Sequence, residues 1–200
     1  TQAPQCVIAQ PCPVIVNYIQ LYRPELIRHL APVDSPMGHT VKMIRAHYPE
    51  LADHRILIVS PCMAKAREFA DQSVDALSIM VASIKQHLES TGVDLHVFPE
   101  RPFDGPAPER GVCFPMPGGL LETLERELPG VKAHARQIEG TRVYPYLDSL
   151  STTIAAGNAP LLIDCLNCEA GCIGGTGTTH FRNADIAGLQ MVLRRCRNAT

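Results

Sequence analysis

The chain has 200 residues, 46% of them hydrophobic and 19% charged, a composition that builds a packed core rather than a disordered segment. Eighteen basic against twenty acidic residues leave a formal charge of −2 and no basic field for a nucleic-acid backbone, and base-stacking aromatics are scarce at 5% with no Trp. No run approaches the ~20 apolar residues of a membrane span, and no secretory leader pattern opens the chain. It begins at Thr1 rather than Met, which reads as a fragment or a processed product.

In chain order, residues 6–9 read as a short strand running into Gln10-Pro11-Cys12-Pro13. A helix is expected from Pro13, with Ile15, Ile19, Tyr22, Leu26 and Leu30 on one face and a break at Pro24. Asp34-Ser35-Pro36 opens a second helix over residues 37–48. Residues 55–59 (RILIV) read as a buried strand that ends at Ser60-Pro61-Cys62. A helix over 64–69, a short strand near 76–79, a helix over 80–90 and a strand over 93–98 follow. Residues 99–119 are crowded with Pro and Gly and read as a long surface connection. Beyond it come a helix over 120–128, a strand over 135–138, a helix over 145–156, a buried strand over 161–164 that leads into Cys165, and a closing helix over 185–196. This alternation predicts an α/β architecture, in which ligands gather where strands run into loops.

Three of those junctions carry cysteines: QPCPV around Cys12, SPCMAK around Cys62, and CLNCEAGCIGGTG from Cys165 to Gly177. In the first two, Pro fixes the turn just before the thiol and removes a backbone donor. In the third, Gly171, Gly174, Gly175 and Gly177 allow φ > 0 and the approach of a bulky group. Consecutive N–H groups in such a loop can point at an anionic cluster. Thiolates presented singly from separate loops, together with a C-x3-C pair, suit a cubane iron–sulfur cluster. Two plainer readings stand beside it. The run C-x2-C-x3-C could be half of a structural zinc site with His180 in reach, although a second close C-x2-C pair is missing. Each cysteine could also be a small buried hydrophobe. Neither the dinucleotide nor the P-loop glycine spacing is present, and the residues alone leave the three readings open.

Taken together and in this order, QPCPV, SPCMAKAREF and NCEAGCIGGTG resemble the three cluster-binding signatures of the [FeFe]-hydrogenase catalytic domain. YRPELIRHLAPVDSPM resembles the segment after the first loop, and FDGPAPERGVCFPMPGGLLETL a connecting region of the family's sensory-type members. The resemblance covers most of the chain. It implies an α/β fold of short, parallel-rich sheets flanked by helices, with cysteine loops at strand ends. Residues 1–200 then form an N-terminally truncated iron–sulfur domain, as one unit or as two α/β lobes meeting at the cluster.

The resemblance also implies an H-cluster: a [4Fe–4S] cubane joined through one cysteine sulfur to a two-iron unit, the [2Fe] subcluster, which carries CO, cyanide and a bridging dithiolate amine. Cys12, Cys62 and Cys168 match cubane ligands, and Cys172 matches the thiolate shared with the two-iron unit. Lys65 matches the lysine that hydrogen-bonds a cyanide ligand, and Glu68 an acidic position expected to be an ion partner. Ser35 matches a family serine and serves equally well as a helix N-cap. Cys6, Cys113, Cys165 and Cys196 match no ligand position and read as ordinary thiols. The eight histidines read as solvated or core residues.

Departures from the family pattern shape the expected activity. Pro11 stands where fast members place a proton-relay cysteine, and Ala31 where they place a relay serine. Ser60 and Leu166 stand where methionines flank the two-iron unit. Heterolytic H2 cleavage needs an acid–base chain within hydrogen-bond reach, and here that chain is cut twice. The resemblance therefore implies a cytoplasmic, anaerobic sensor of H2 or redox state with low hydrogenase activity. Its partners would be H2, electron-transfer iron–sulfur domains or ferredoxin, and fused signalling domains. The alternative is a [4Fe–4S]-only electron-transfer or regulatory module without hydrogenase activity; retention of Cys172 and Lys65 favours the first.

Overall fold

In the computed structural model, which describes residues 6–9, 11–101 and 103–179, the strands pair in parallel and form two separate sheets. The first has the order β1-β5-β4, built from β1 (Val7–Ile8), β4 (Ala135–Glu139) and β5 (Leu162–Leu166). Strand β5 is central. Val7 and Ile8 stand opposite Leu162 and Ile163, and β4 runs beside all of β5 on its other edge. Every β5 residue is buried, as expected of a parallel strand paired on both sides.

Two helices complete this core, α1 (Pro13–Tyr22) and α6 (Val143–Ala155). Ile15 and Ile19 of α1 and Val143, Leu147 and Leu150 of α6 join Ile8 and Ile163 in one fully buried cluster. Pro13 opens α1 where its missing N–H costs nothing, and Pro24 ends it as expected. The chain then tightens into a 3-10 turn over Pro24–His29. There His29 is buried; its Nε2 accepts from Arg28 Nε at 3.2 Å and its Nδ1 lies 3.1 Å from the Cys6 carbonyl oxygen. It is a satisfied core histidine.

The second sheet pairs β2 (Leu57–Ser60) with β3 (Leu77–Met80) through the crossover helix α3 (Ala64–Asp71). Helix α2 (Pro36–His47) precedes it, capped by Ser35, whose Oγ accepts from Gly38 N at 3.3 Å. Helix α4 (Val81–Thr91) follows β3 directly. The expectation of a buried strand fails here. Leu57, Val59 and Leu77 are 54%, 48% and 60% exposed. The register sets Leu57 opposite Leu77 and Val59 opposite Ile79, so these apolar side chains share one face, and that face is largely bare. An apolar run marks a strand without saying how many of its faces are covered.

Residues 93–98, expected as a strand, instead hold a 3-10 turn over Leu95–Val97. Asp94 Oδ1 accepts from His96 N at 2.9 Å, a local bond that competes with strand pairing. The connection over 99–119 is more than surface loop. It contains a 3-10 turn, Glu109–Cys113, in which Cys113 is buried and disulfide-bonded rather than an ordinary thiol. Gly118, at φ +76°, then turns the chain into α5 (Gly119–Glu127). A Cβ on Gly119 would lie 1.8 Å from the Cys113 carbonyl oxygen, so α5 begins in backbone contact with that turn. The expected helix over 185–196, with Cys196, and His180 lie outside the described residues. No helix among the described residues is long and apolar enough to cross a membrane.

Helix α5 has Gly118 as its N-cap and therefore no local side-chain acceptor. Asp164, buried in β5, supplies one from a distance: its Oδ2 accepts from Leu121 N at 3.2 Å. Burial raises the Asp164 pKa, and the Leu121 N–H partly opposes the rise. Asp164→Ala is expected to cost about 1–2 kcal/mol in urea unfolding, and Asp164→Asn, which keeps the acceptor, much less. Folding raises this acid's pKa, so its contribution to stability declines as pH climbs from the unfolded value of about 3.9 towards the folded one. The Asn variant should lack that slope; an unchanged slope would rule out Asp164 as its source.

Candidate metal centre

The three cysteine loops leave the carboxyl ends of β1, β2 and β5 and converge on one cavity of about 380 Å³. Cys12, Cys62, Cys168 and Cys172 all line it, as do Lys65, Pro11 and Leu166. Cys12 sits just before α1. Burial pushes its thiol pKa up, although backbone N–H groups of Asn167, Ile15 and Val14 point at the sulfur and act the other way. Cys168 is raised by burial and by the Cys12 and Cys62 charges, against a lowering contact from Asn167. Cys172 is pushed up to about 12 by burial first, then by Cys12, Cys168 and Cys62, with Lys65 opposing. The four cysteines thus share the wall of one cavity. Cys6 and Cys165 belong instead to the apolar core, fully buried and raised by burial.

Backbone contacts hold the loops together. Ser60 Oγ accepts from Cys62 N and donates to Cys62 O, both at 3.1 Å, closing the turn around the thiol. Pro61 O accepts from Gly177 N at 2.9 Å. A Cβ on Gly175 would lie 2.4 Å from Pro61 O, and one on Gly177 2.9 Å from the Pro61 carbonyl carbon. These glycines, expected to make room for a ligand, make room for the second loop. Of the four singled out in the sequence, only Gly171 has a positive φ, +65°.

Lys65 is 5% exposed at the cavity edge. Its Nζ pairs with Glu68 Oε2 at 2.6 Å and donates to Pro11 O at 3.3 Å, which commits two of its three donors. Glu68 is thus its ion partner. Part of the wall was not foreseen: Gly111, Phe114 and Pro115 line the cavity, and Pro115 O accepts from Cys172 N at 2.7 Å. None of the three has ligand chemistry to mark it in a sequence. Tyr144 and Asn167 were also missed. The Tyr144 hydroxyl donates to Asn167 Oδ1, and Asn167 Nδ2 lies 3.9 Å from Cys168 Sγ. Burial, then the Cys12 and Cys168 charges, raise the Tyr144 pKa. A polar residue just before a candidate ligand was the available signal.

The donor set fits a cluster better than a single ion. Among the described residues, no three His, Cys, Asp or Glu side chains come together closely enough to hold one metal ion. A zinc ion needs its thiolates crowded around one centre at about 2.3 Å each. A cubane carries iron at four corners and takes thiolates from different sides of a cavity, and these four cysteines line one cavity from three loops.

The same architecture recurs in solved [FeFe]-hydrogenases. A variant of [FeFe]-hydrogenase HydA1 from Chlamydomonas reinhardtii superposes with a TM-score of 0.64 at 18% identity, covering 96% of this chain and 65% of that one. An apo form of HydA1 from the same organism gives 0.65 at 19%, with 96% and 65% covered. An [FeFe]-hydrogenase whose oxygen inactivation begins with modification and degradation of the H cluster 2Fe subcluster gives 0.68 at 19%, with 95% and 64% covered. At such identities the likeness is one of fold, and this chain spans just under two thirds of their length. No curated protein matches the chain. The fold is that of the [FeFe]-hydrogenase catalytic domain. The family described as iron only hydrogenase large subunit, C-terminal domain, matches residues 1–176, and the chain belongs to it.

Lys65→Met would leave the Glu68 carboxylate buried without its cation, at an expected cost of about 3–5 kcal/mol in chemical unfolding. Adding Glu68→Leu should recover most of that loss. A single-variant loss below ~1 kcal/mol would show that the pair behaves like a solvated one.

Proposed function

We propose that this domain holds an H-cluster and senses or slowly activates H2, relaying its redox state to a partner. The observation that carries this reading is the convergence of four cysteines, on three loops from two sheets, around one cavity edged by a buried lysine. Cys12, Cys62 and Cys168 would hold the [4Fe–4S] cubane, and Cys172 would share its sulfur with the two-iron unit. When bound, the cluster supplies one-electron storage and an iron site for heterolytic H2 cleavage or proton reduction.

The chain's own residues set the conditions. Lys65, steadied by Glu68 and the Pro11 carbonyl, offers a compact ammonium to an anionic ligand, the role its family counterpart plays towards cyanide. Phe114 and Pro115 give the cavity an apolar wall. Pro11 has neither a titratable side chain nor an N–H, and its carbonyl is taken by Lys65. Pro11 itself therefore hands on no proton. Ala31 has no side-chain proton either. Ser60 places a hydroxyl where the family has a thioether, but that hydroxyl is spent on the Cys62 turn. Two interrupted relay positions support slow turnover and a sensing role.

On this reading residues 1–200 form one iron–sulfur domain, with the two sheets as lobes that meet at the cluster. Electrons pass to or from iron–sulfur domains or ferredoxin, and fused domains carry the signal. An anaerobic, cytoplasmic setting suits such a cluster. A [4Fe–4S]-only module would need the cysteines but not a buried lysine at the cavity, and Lys65 therefore favours the two-part cluster.

Anaerobically matured protein is expected to show infrared bands of metal-bound CO and cyanide at roughly 1,800–2,100 cm⁻¹. A cubane signal without those bands would favour the [4Fe–4S]-only module. Pro11→Cys should raise H2 turnover of the matured protein by up to ~10²-fold, the lower range of general acid–base contributions. No gain would place the limiting break elsewhere.

A further inference from the structure

We propose that Asn167 and Tyr144 are positioning residues that set the reduction potential of the cubane through a hydrogen bond to the Cys168 sulfur, an inference that rests on the cluster assignment above. Asn167 Nδ2 lies 3.9 Å from Cys168 Sγ, and Asn167 Oδ1 accepts from the Tyr144 hydroxyl. A metal-bound thiolate has lone pairs and no proton, so it can only accept. The amide must then turn its NH2 towards the sulfur and its oxygen away. An Asn amide can flip between its two orientations; with its NH2 turned to the sulfur, its oxygen accepts from the Tyr144 hydroxyl on the far side.

Tyr144 is itself held in place. It lies in the first turn of α6, where its ring meets Tyr18 edge-on, with centroids 4.7 Å apart at 64°. The Tyr18 hydroxyl donates to Asp148 Oδ1 at 2.5 Å, and Arg23 Nε donates to the same oxygen at 2.9 Å. A chain of contacts between α1 and α6 thus ends on the amide of Asn167. The backbone N–H of Asn167 also points at Cys12, so one residue addresses two of the four sulfurs. Each N–H···S bond offsets negative charge and favours the reduced cluster, which carries one electron more. Loss of the bond therefore lowers the potential.

The test uses the full chain with its cubane rebuilt anaerobically from iron and sulfide, without any two-iron unit, and an EPR-monitored redox titration. Asn167→Leu is expected to shift the oxidised-to-reduced ratio at the wild-type midpoint by on the order of tenfold towards oxidised, about 59 mV more negative. Tyr144→Phe should shift it the same way by less, and the double variant no further than Asn167→Leu alone. Where Asn167→Leu fails to fold, Asn167→Ala removes the side-chain N–H without adding charge, and it must also move the potential down. An unchanged potential at residue 167, in a protein that assembles the cubane, overturns this inference and leaves the cluster assignment standing. A shift at Asn167 with none at Tyr144 overturns the relay. A wild-type chain that assembles no cubane overturns both the assignment and the inference.

Discussion

The backbone contact between the second and third cysteine loops is the constraint on which the site depends. Residues 175 and 177 press against Pro61 so closely that a methyl group at either would collide with its carbonyl. That approach brings Cys62, carried by the two-stranded sheet, to the same cavity as Cys168 and Cys172, carried by the three-stranded one. Gly177 also accepts from Ala82 N at the start of α4, so the third loop is gripped on both sides. The other pairs of loops are tied as well. Lys65 reaches across from the second loop to Pro11 in the first, and the Asn167 N–H reaches from the third to Cys12. Each tie uses a backbone group or a buried charge, which fixes distance more firmly than apolar contact alone.

Electrostatics adds a second layer. Burial raises three of the thiols above their ordinary range, and the charges of neighbouring cysteines add to the rise. Positive character is brought in sparingly: the Lys65 ammonium, and N–H groups at the start of α1. The cavity therefore combines several thiols with little fixed positive charge. Glu68 balances Lys65 when the cavity holds no other anion, at the expense of one carboxylate oxygen, Oε1, buried without a partner among the described residues.

The parts of this arrangement written in short segments were legible in the sequence. The cysteine loops follow strands whose apolar runs are plain, and prolines and glycines mark the turns. Strand β5 was read correctly because both of its faces are buried and every position is apolar or cysteine except Asp164. Strand β2 has the same texture but one bare face, a difference set by which elements pack on it rather than by its own residues. The turn at Leu95–Val97 carries a local Asp94 side-chain bond, and among the described residues no strand pairs beside it. The cavity wall at residues 111–115 and the Tyr144–Asn167 contact escaped for another reason. They are tertiary juxtapositions of residues with no ligand chemistry, and nothing local announces them.

Pro11 and Pro13 bracket Cys12, and Pro61 precedes Cys62, so much of the freedom of these two loops is already lost before any metal arrives. Their neighbours Ile15, Ile19 and Leu147 pack a core that Cys12 and Leu166 of the cavity wall also join. A zinc finger collapses when its ion is withdrawn, because binding and folding are one event. Here the prolines and the packed core constrain the loops through the chain itself. The spacing of the cysteines is therefore a property of the backbone before it is a property of any ligand.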